Sequence, residues 1–405
     1  MDTMVLIVFG FVYLGMILGR IPGLALDRTG VALLGVIVLL ATGRATTESA
    51  WSAVDVGTMA LLLGLMIVSA QFRLGGCYAR IARALAEADV SPSMLLALLI
   101  GITGLLAAVL CNDIVCLAMA PVLVEGCERR KLNPVPFLLA LACASNVGSA
   151  ATLIGNPQNI LIGQKLQMPF AGYLVMALVP SILGLAAIWW VIGHLARGQW
   201  HKDMTPTPAE APPFNVWQTG KGVTVLATLM AVFLFTAWPR ELCALAAGGL
   251  LMTSRRLASR RILALIDWQL LVLFVGLFVV NDVLASSGTL GELFAILRSG
   301  GLDLGRPVPL FVTTAVLSNL VSNVPAVMLL LPVASHPLAG AILALSSTLA
   351  GNLLVVGSIA NIIVIDQAAR MGVTITWRDH ARVGIPVTLL TLAIAGAWLV
   401  AWSLV

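Results

Sequence analysis

Two asparagines, Asn112 and Asn323, stand in short polar tips between apolar runs, and each is followed by a proline nine residues later. The first tip reads Cys-Asn-Asp over 111–113, and the second reads Ser-Asn-Val over 322–324. An amide side chain offers both acceptor and donors, and the carboxylate of Asp113 can ligate a cation or carry a proton. In apolar surroundings, these groups are typical of an ion-binding site.

Small and amide residues also interrupt two long apolar segments, Phe137–Ile162 and Leu338–Ile365. Glycine lets a helix open, so that freed carbonyls can bind a cation and half-helix N-termini can present N–H groups to an anion. We therefore predict a substrate- or ion-binding site from four chain segments. Its residues in the first half are Asn112, Asp113, Asn146, Gly148, Thr152, Gly155, Asn156 and Asn159, and in the second half Ser322, Asn323, Thr348, Gly351, Asn352, Gly357 and Asn361.

Asp113 is predicted to carry the proton. A carboxylate near the centre of a bilayer costs about 2.5–3.5 kcal/mol on insertion scales and is therefore a functional residue by default. No Lys or Arg is predicted at the same depth, so burial without a cationic partner favours its protonated form. No metal site is predicted beyond a possible Na⁺ site at Asn112 and Asn323, and no cofactor beyond the coupling cation, H⁺ or Na⁺.

The composition is that of a polytopic, all-α membrane protein. Of 405 residues, 60% are hydrophobic and only 10% charged, against about 25% charged in soluble domains, and the mean hydropathy is +1.03. The basic residues lie in short loops, where they orient a membrane protein rather than bind nucleic acid. The sequence contains no HExxH, GxSxG or Walker motif, the six cysteines show no paired spacing, and we do not expect an enzyme.

The chain contains an internal repeat at a constant offset, which pairs Asp55 with Asp267 and Gly64 with Gly276. Each half shows three apolar crossings, a re-entrant hairpin, a broken crossing and a final crossing, with a short interfacial helix (Cys77–Glu87 or Leu290–Leu297) before the hairpin. Five crossings are an odd number, so the second half must be inverted. We predict a first repeat over 1–195 (hairpin about 93–127), a cytoplasmic linker over 196–221, and a second repeat over 222–405 (hairpin about 307–333).

The charges predict the orientation. In this topology 18 of the 23 basic residues fall on one side of the membrane, which the positive-inside rule makes cytoplasmic. Both termini then face outward from a bacterial inner membrane. Glu125 and Glu128, at the cytoplasmic exit of the first hairpin, are expected to be reached by water.

At these motifs the chain resembles the ion transporter superfamily, which includes divalent-anion/sodium symporters, arsenite-efflux permeases and sodium/proton antiporters. In the dicarboxylate branch each tip carries Ser-Asn-Thr; here the second tip matches at Ser322-Asn323, and the first matches only at Asn112. Asn-Asp in the first tip looks more like the arsenite-permease branch. The resemblance implies a hairpin-bearing core that moves against a scaffold, and it makes a homodimer possible.

The sequence thus predicts a secondary transporter that moves a small inorganic or organic anion, or an oxyacid, with coupling to protons favoured over sodium. A negative Asp113 would repel a dianionic dicarboxylate. A sodium-coupled dicarboxylate or divalent-anion symporter remains an alternative, as does a sodium/proton antiporter with no anionic substrate. A channel or passive permease is a further alternative, and its substrate uptake would not depend on the gradient of a coupling ion.

Overall fold

The computed structural model describes residues 2–19, 21, 23–202, 209, 212–254 and 257–404, and these form helices and loops without a named strand. Arg20, Arg255, Arg256 and the linker prolines Pro206 and Pro208 lie outside the described residues. The first half contains α1 (Thr3–Leu18), α2 (Arg28–Ala41), α3 (Thr47–Ala53), α4 (Val56–Leu74), α5 (Cys77–Glu87), α6 (Pro92–Val109), α7 (Asn112–Arg129), α8 (Pro134–Ser149), α9 (Pro157–Lys165) and α10 (Phe170–Leu195). The second contains α11 (Val216–Phe235), α12 (Arg240–Met252), α13 (Ser259–Leu263), α14 (Trp268–Ser286), α15 (Thr289–Ser299), α16 (Pro307–Val321), α17 (Asn323–Leu330), α18 (Ala339–Ala350), α19 (Ile359–Arg370) and α20 (Trp377–Trp402).

The two halves have the same order of helices, ten in each among the described residues. The short helices α3 and α13 were not predicted from the sequence. Their first residues, Thr47 and Ser259, are paired by the same offset that pairs Asp55 with Asp267. Of the described helices, six are long and apolar enough to cross a membrane: α4, α6, α10, α11, α14 and α20. Five of these are predicted crossings. The sixth, α6, is an arm of the first predicted hairpin, and its 18 residues are as apolar as those of the predicted crossings.

The halves pack on each other reciprocally. Helix α4 lies along α12, and α14 lies along α2. A Cβ on Gly64 would stand 2.5 Å from the backbone carbon of Ala244, and one on Gly276 would stand 2.8 Å from the Cβ of Ala32. Ala32 and Ala244 are themselves equivalent positions of the internal repeat. Such paired contacts are those of two units related by a two-fold axis.

Both long predicted segments are interrupted helices. The first is divided into α8 and α9, and the second into α18 and α19. Helix α9 starts at Pro157, whose missing N–H and fixed φ suit a first helical position and prevent continuation from α8. At the breaks, a Cβ on Gly155 would lie 2.3 Å from the Ser149 carbonyl oxygen, and one on Gly357 would lie 2.8 Å from Asn319 Oδ1. Only glycine therefore fits either position without displacement of its neighbour.

One expectation about exposure is wrong. Glu125 and Glu128 are buried, at 8% and 2% of their accessible surface. The Glu125 carboxylate is covered because it pairs with Arg129 one helical turn later and accepts the backbone N–H of Ala209 at 3.2 Å. Ala209 of the predicted linker thus contacts the end of α7, and the hydropathy of the separate segments does not indicate this contact.

Candidate transport site

A small cavity lies where the two hairpin tips meet the two helix breaks. Its volume is about 30 Å³, enough for a water molecule or a bare cation, since one water needs about 10–15 Å³. An oxyanion would need the surrounding helices to move apart. The cavity is lined by Asn112, Asp113, Asn146, Asn156, Pro157, Gln158, Leu270, Ser322, Asn323, Val324, Ser358 and Ile359.

Four helices begin at this cavity: α7, α9, α17 and α19. The N-termini of α9 and α19 are capped, because Asn156 accepts the N–H of Asn159 at 2.9 Å and Ser358 accepts the N–H of Ala360 at 3.2 Å. The two tip helices, α7 and α17, begin without a side-chain cap. The first-turn N–H groups of an uncapped helix have no intrahelical partner, and each terminus carries roughly half a positive charge. The cavity is therefore suited to negative charge.

Asp113 supplies the cavity's one formal charge among the residues that the structure describes, since the lining contains no Lys, Arg or His. It lies in the first turn of α7, where the helix dipole stabilises a carboxylate. The other charge that acts on it is also negative, that of Asp267 at the start of α14. Next to it, the buried Oδ1 of Asn112 has no hydrogen-bond partner in the described part of the chain. The first tip thus brings the Asp113 carboxylate and the unpaired Asn112 amide oxygen to the cavity. The carboxylate could take up a proton, and both groups could bind a cation.

The second tip is built differently. Ser322 has φ 77° and ψ 162°, a backbone conformation that is essentially restricted to glycine and costs about 1–3 kcal/mol for other residues. This conformation turns the chain from α16 into α17 within one residue. In the amide orientation that satisfies both ends of the side chain, the Asn323 nitrogen donates to the carbonyls of Ser347 (3.1 Å) and Gly357 (3.2 Å), and its oxygen accepts from Gln158 Nε2 (3.2 Å).

The two helix breaks are joined by reciprocal hydrogen bonds. Asn146 accepts from Ser358 Oγ at 2.8 Å and donates to Asn361 Oδ1 at 3.2 Å. Thr348 accepts from Asn156 Nδ2 at 3.2 Å and donates to Asn159 Oδ1 at 3.4 Å. One constant offset in the sequence pairs Asn146 with Thr348, Asn156 with Ser358, and Asn159 with Asn361. One pattern of amide and hydroxyl contacts is therefore used twice, once from each half.

The predicted site residues fall into two groups. Asn112, Asp113, Asn146, Asn156, Ser322 and Asn323 line the cavity. The others support it from behind: Asn159, Thr348, Asn352 and Asn361 hydrogen-bond to the lining or to the breaks, Thr152 donates to the Ala108 carbonyl, and Gly148, Gly155, Gly351 and Gly357 allow close backbone contacts.

The structure adds residues that the sequence analysis did not select. Gln158 lines the cavity and donates to Thr348 Oγ1 at 3.1 Å; its position inside the Asn156–Asn159 motif was a usable signal. Tyr173, buried in α10, donates to the Ala150 carbonyl at 2.7 Å and fixes the first break. His380, buried in α20, has Nε2 at 3.1 Å from the Asn352 carbonyl, and no spacing in the sequence links it to the site.

Comparison with known proteins gives the family. The family model described as "Citrate transporter" matches residues 4–342. The chain belongs to the citrate transporter family. Members of this family are membrane transporters, and so the chain is a transporter of ions or anions.

Similar proteins agree with this assignment. The 46 kDa membrane protein of Mycobacterium leprae is 28% identical over 92% of this chain and 93% of its own. The silicon efflux transporter LSI3 of Oryza sativa subsp. japonica is 26% identical over 96% and 95%. The crystal structure of the YdaH transporter of Alcanivorax borkumensis, described as having an unusual topology, is also similar. The match covers 98% of each chain with a TM-score of 0.63 and 15% identity. At this identity the similarity shows the fold alone.

Proposed function

We propose that this citrate transporter family member is a secondary transporter that moves a small carboxylate, oxyanion or oxyacid together with a cation, and that the cation is a proton carried by Asp113. The observation that carries the proposal is the meeting of two uncapped helix N-termini with one carboxylate in a cavity that has no basic residue among those described. The helix ends attract an anion, while Asp113 repels it.

The attraction of the anion by the helix ends and its repulsion by Asp113 together couple the anion to the proton. An anion and an ionised Asp113 would compete for the same N–H groups and repel each other at a few ångströms. Protonation of Asp113 removes the repulsion, so a bound anion favours the protonated carboxyl and the proton favours anion binding by the same factor. For an anionic substrate the electrostatics therefore favour cotransport with a proton. A neutral oxyacid would meet no such repulsion and leaves exchange against protons open.

The reciprocal contacts of the two halves support a two-fold related pair of repeats, which we infer to be inverted in the bilayer of a bacterial inner membrane with both termini outside. The two tips and two breaks form one site at the junction of the halves. Movement of the hairpins and broken helices against the other crossings would open it to each side in turn.

Sodium coupling is the second candidate, and the unpartnered Asn112 Oδ1 favours it. Sodium is a hard cation that prefers oxygen ligands, and Asp113, Asn112 and the freed carbonyls of the breaks could supply them. In that case the cation would neutralise Asp113 in place of the proton.

A thermal-shift experiment on the detergent-purified protein tests the proposal, because a ligand that binds the native state raises its melting temperature. Citrate, succinate, phosphate, arsenite and silicic acid would be added at two pH values, each with and without sodium. We expect a shift that grows as the pH falls and that is independent of sodium. A shift that requires sodium and is insensitive to pH would contradict proton coupling and support the second candidate.

A further inference from the structure

A second polar cavity lies away from the transport site, between α5, α7 and α19. Its volume is about 230 Å³, room for a small polyatomic ion with some water. Its polar lining consists of Arg73, Tyr78, Gln367 and Arg370, and its apolar wall includes Leu117 and Pro121 of α7. We call it the Arg73 cavity.

The lining has a positive charge with no acidic residue among those described. Arg73 is partly buried at the end of α4 and makes no ion pair or hydrogen bond in the described part of the chain. Arg370 pairs with Asp366 at 2.8 Å, and both side chains are exposed. An exposed i,i+4 pair of this kind contributes little to stability, so it can open at little cost.

The corresponding place in the other half has none of these groups. At the offset that pairs Asp55 with Asp267, Ala285 replaces Arg73 and Leu290 replaces Tyr78. At the offset that pairs the broken helices, Met168 is the residue equivalent to Arg370, and Lys165 is the residue equivalent to Gln367. The Lys165 ammonium forms an ion pair with Asp55 at 2.9 Å. The basic lining is therefore not a consequence of the repeated fold, since only one half carries it.

We propose that the Arg73 cavity is a second anion-binding site, for a small carboxylate or oxyanion held by the guanidinium groups of Arg73 and Arg370. Guanidinium groups bind such anions with two parallel hydrogen bonds. Leu117 and Pro121 follow Asp113 by four and eight residues, or about 6 and 12 Å along α7. The cavity thus lies beside the helix that leads to the first tip. Its use as a waiting position for the substrate rests on the proposed function, whereas the binding itself does not.

Titration calorimetry with sodium sulfate tests the proposal on the purified full-length protein, since sulfate keeps its charge between pH 6 and pH 8. We expect Arg73→Gln to weaken sulfate binding roughly tenfold or more, Arg73→Lys to recover part of it, and Arg370→Gln, which removes a guanidinium shared with Asp366, to weaken it about threefold. Arg80→Gln, an exposed arginine on the same helix as Tyr78, is the matched control and should bind as the parent does. Melting without sulfate shows whether each variant is folded, and Arg73→Lys serves if Arg73→Gln is not.

Asn323→Ala separates this proposal from the proposed function, because it damages only the transport site. Sulfate binding that persists in Asn323→Ala and is lost when Arg73→Gln is added would support the second site. The proposal is overturned by a parent protein with no sulfate binding up to about 100 mM, where the binding free energy falls to about −1.4 kcal/mol. Equal weakening by Arg80→Gln, or complete loss in Asn323→Ala alone, would overturn it as well.

Discussion

In the proposed function the coupling depends on Asp113, because this residue brings a negative charge to a cavity at which four helices begin, two of them without a side-chain cap. The amides around it can adapt to either an anion or a cation. The carboxylate alone changes charge with the binding of a proton. Its removal should therefore separate binding from coupling.

Asp113→Asn should leave the folded protein in the membrane and abolish proton-driven transport, since the amide cannot carry a proton. The part of the pH dependence of anion binding that Asp113 causes should be lost between about pH 5 and pH 8, and an anionic substrate should bind at least as tightly as in the parent because the repulsion is gone. Binding curves at several pH values measure both effects. An unchanged pH dependence would mean that another group carries the proton, and His380→Gln would be the next variant to test.

Asn323→Ala should weaken substrate or cation binding by at least several-fold. The substitution removes the amide that bridges the carbonyls of Ser347 and Gly357 and the Gln158 side chain, and each lost hydrogen bond costs about 0.5–1.5 kcal/mol. Isothermal titration of the best ligand from the thermal-shift panel measures the change. Asn133→Ala, which alters an asparagine at the start of α8 outside the cavity, should bind as the parent does. Binding by Asn323→Ala equal to that of the parent would make the second tip purely structural.

Ser322→Gly should raise the melting temperature, because glycine adopts the positive φ of this position without the strain of a side chain. The gain should be at most about 1–3 kcal/mol and is partly offset by the greater freedom of glycine in the unfolded chain. Thermal unfolding in detergent measures it, with Ser335→Gly in a loop as the control. A lower melting temperature would show that the Ser322 side chain stabilises the tip more than its backbone strains it.

At the scale of elements, two close helix pairs hold the halves together, α4 with α12 and α14 with α2. Gly64→Leu and Gly276→Leu should each destabilise the protein, by at least the typical 1–3 kcal/mol of an overpacked position, since a Cβ alone already overlaps a neighbouring helix. Gly249→Leu on α12 is the control, because nothing lies within 4 Å of a Cβ there. Melting temperatures that are equal for all three variants would contradict the packing described.

The start of α4 is held to the end of α9 by the Asp55–Lys165 ion pair, with the ammonium 5.7 Å from the Phe278 ring centre. Burial opposes the ionisation of Asp55, but Lys165 and the hydrogen bonds from Thr58 outweigh it and hold the pKa of this carboxyl below its ordinary value. The pair's contribution is therefore present above pH 4 and is lost as the pH falls below about 4.

Lys165→Gln should remove that contribution, which we expect to be about 1 kcal/mol or less because the lysine is 42% exposed. The difference in melting temperature between parent and variant should be constant from pH 7 to pH 5 and should shrink toward pH 3. Lys202→Gln, another exposed lysine, controls for the change in net charge. A difference that grows in acid would contradict the pairing.

At the scale of the whole molecule, the sequence was sufficient to predict those features that depend on local polarity. The hairpin tips, the two interrupted helices and the short helix at Cys77–Glu87 each combine a change in hydropathy with a glycine, proline or amide signal. Family membership and the helical membrane architecture agree with that prediction. The four chain segments predicted to form one site do meet at one cavity in the structure, while their roles in binding stay a prediction.

The features that the sequence did not predict depend on contacts between distant segments of the chain. His380 reaches the site only because α20 packs on the second break, and Glu125 accepts a hydrogen bond from Ala209, a residue 84 positions later in the chain. The Arg73 cavity needs residues from α4, α5 and α19 at one place. Nothing in the local pattern of these segments indicates their neighbours, since hydropathy gives the face of a helix but not its partner.

The central claim, that an anion and a proton are carried together through Asp113, is tested most directly in proteoliposomes with a trapped pH indicator. Each anion of the thermal-shift panel would be added outside in sodium-free buffer, and proton movement into the vesicles would be recorded for the parent and for Asp113→Asn. The account predicts that at least one anion moves protons through the parent and that none does so through Asp113→Asn. Proton movement that persists in Asp113→Asn, or anion uptake that starts only when sodium is added, would contradict it.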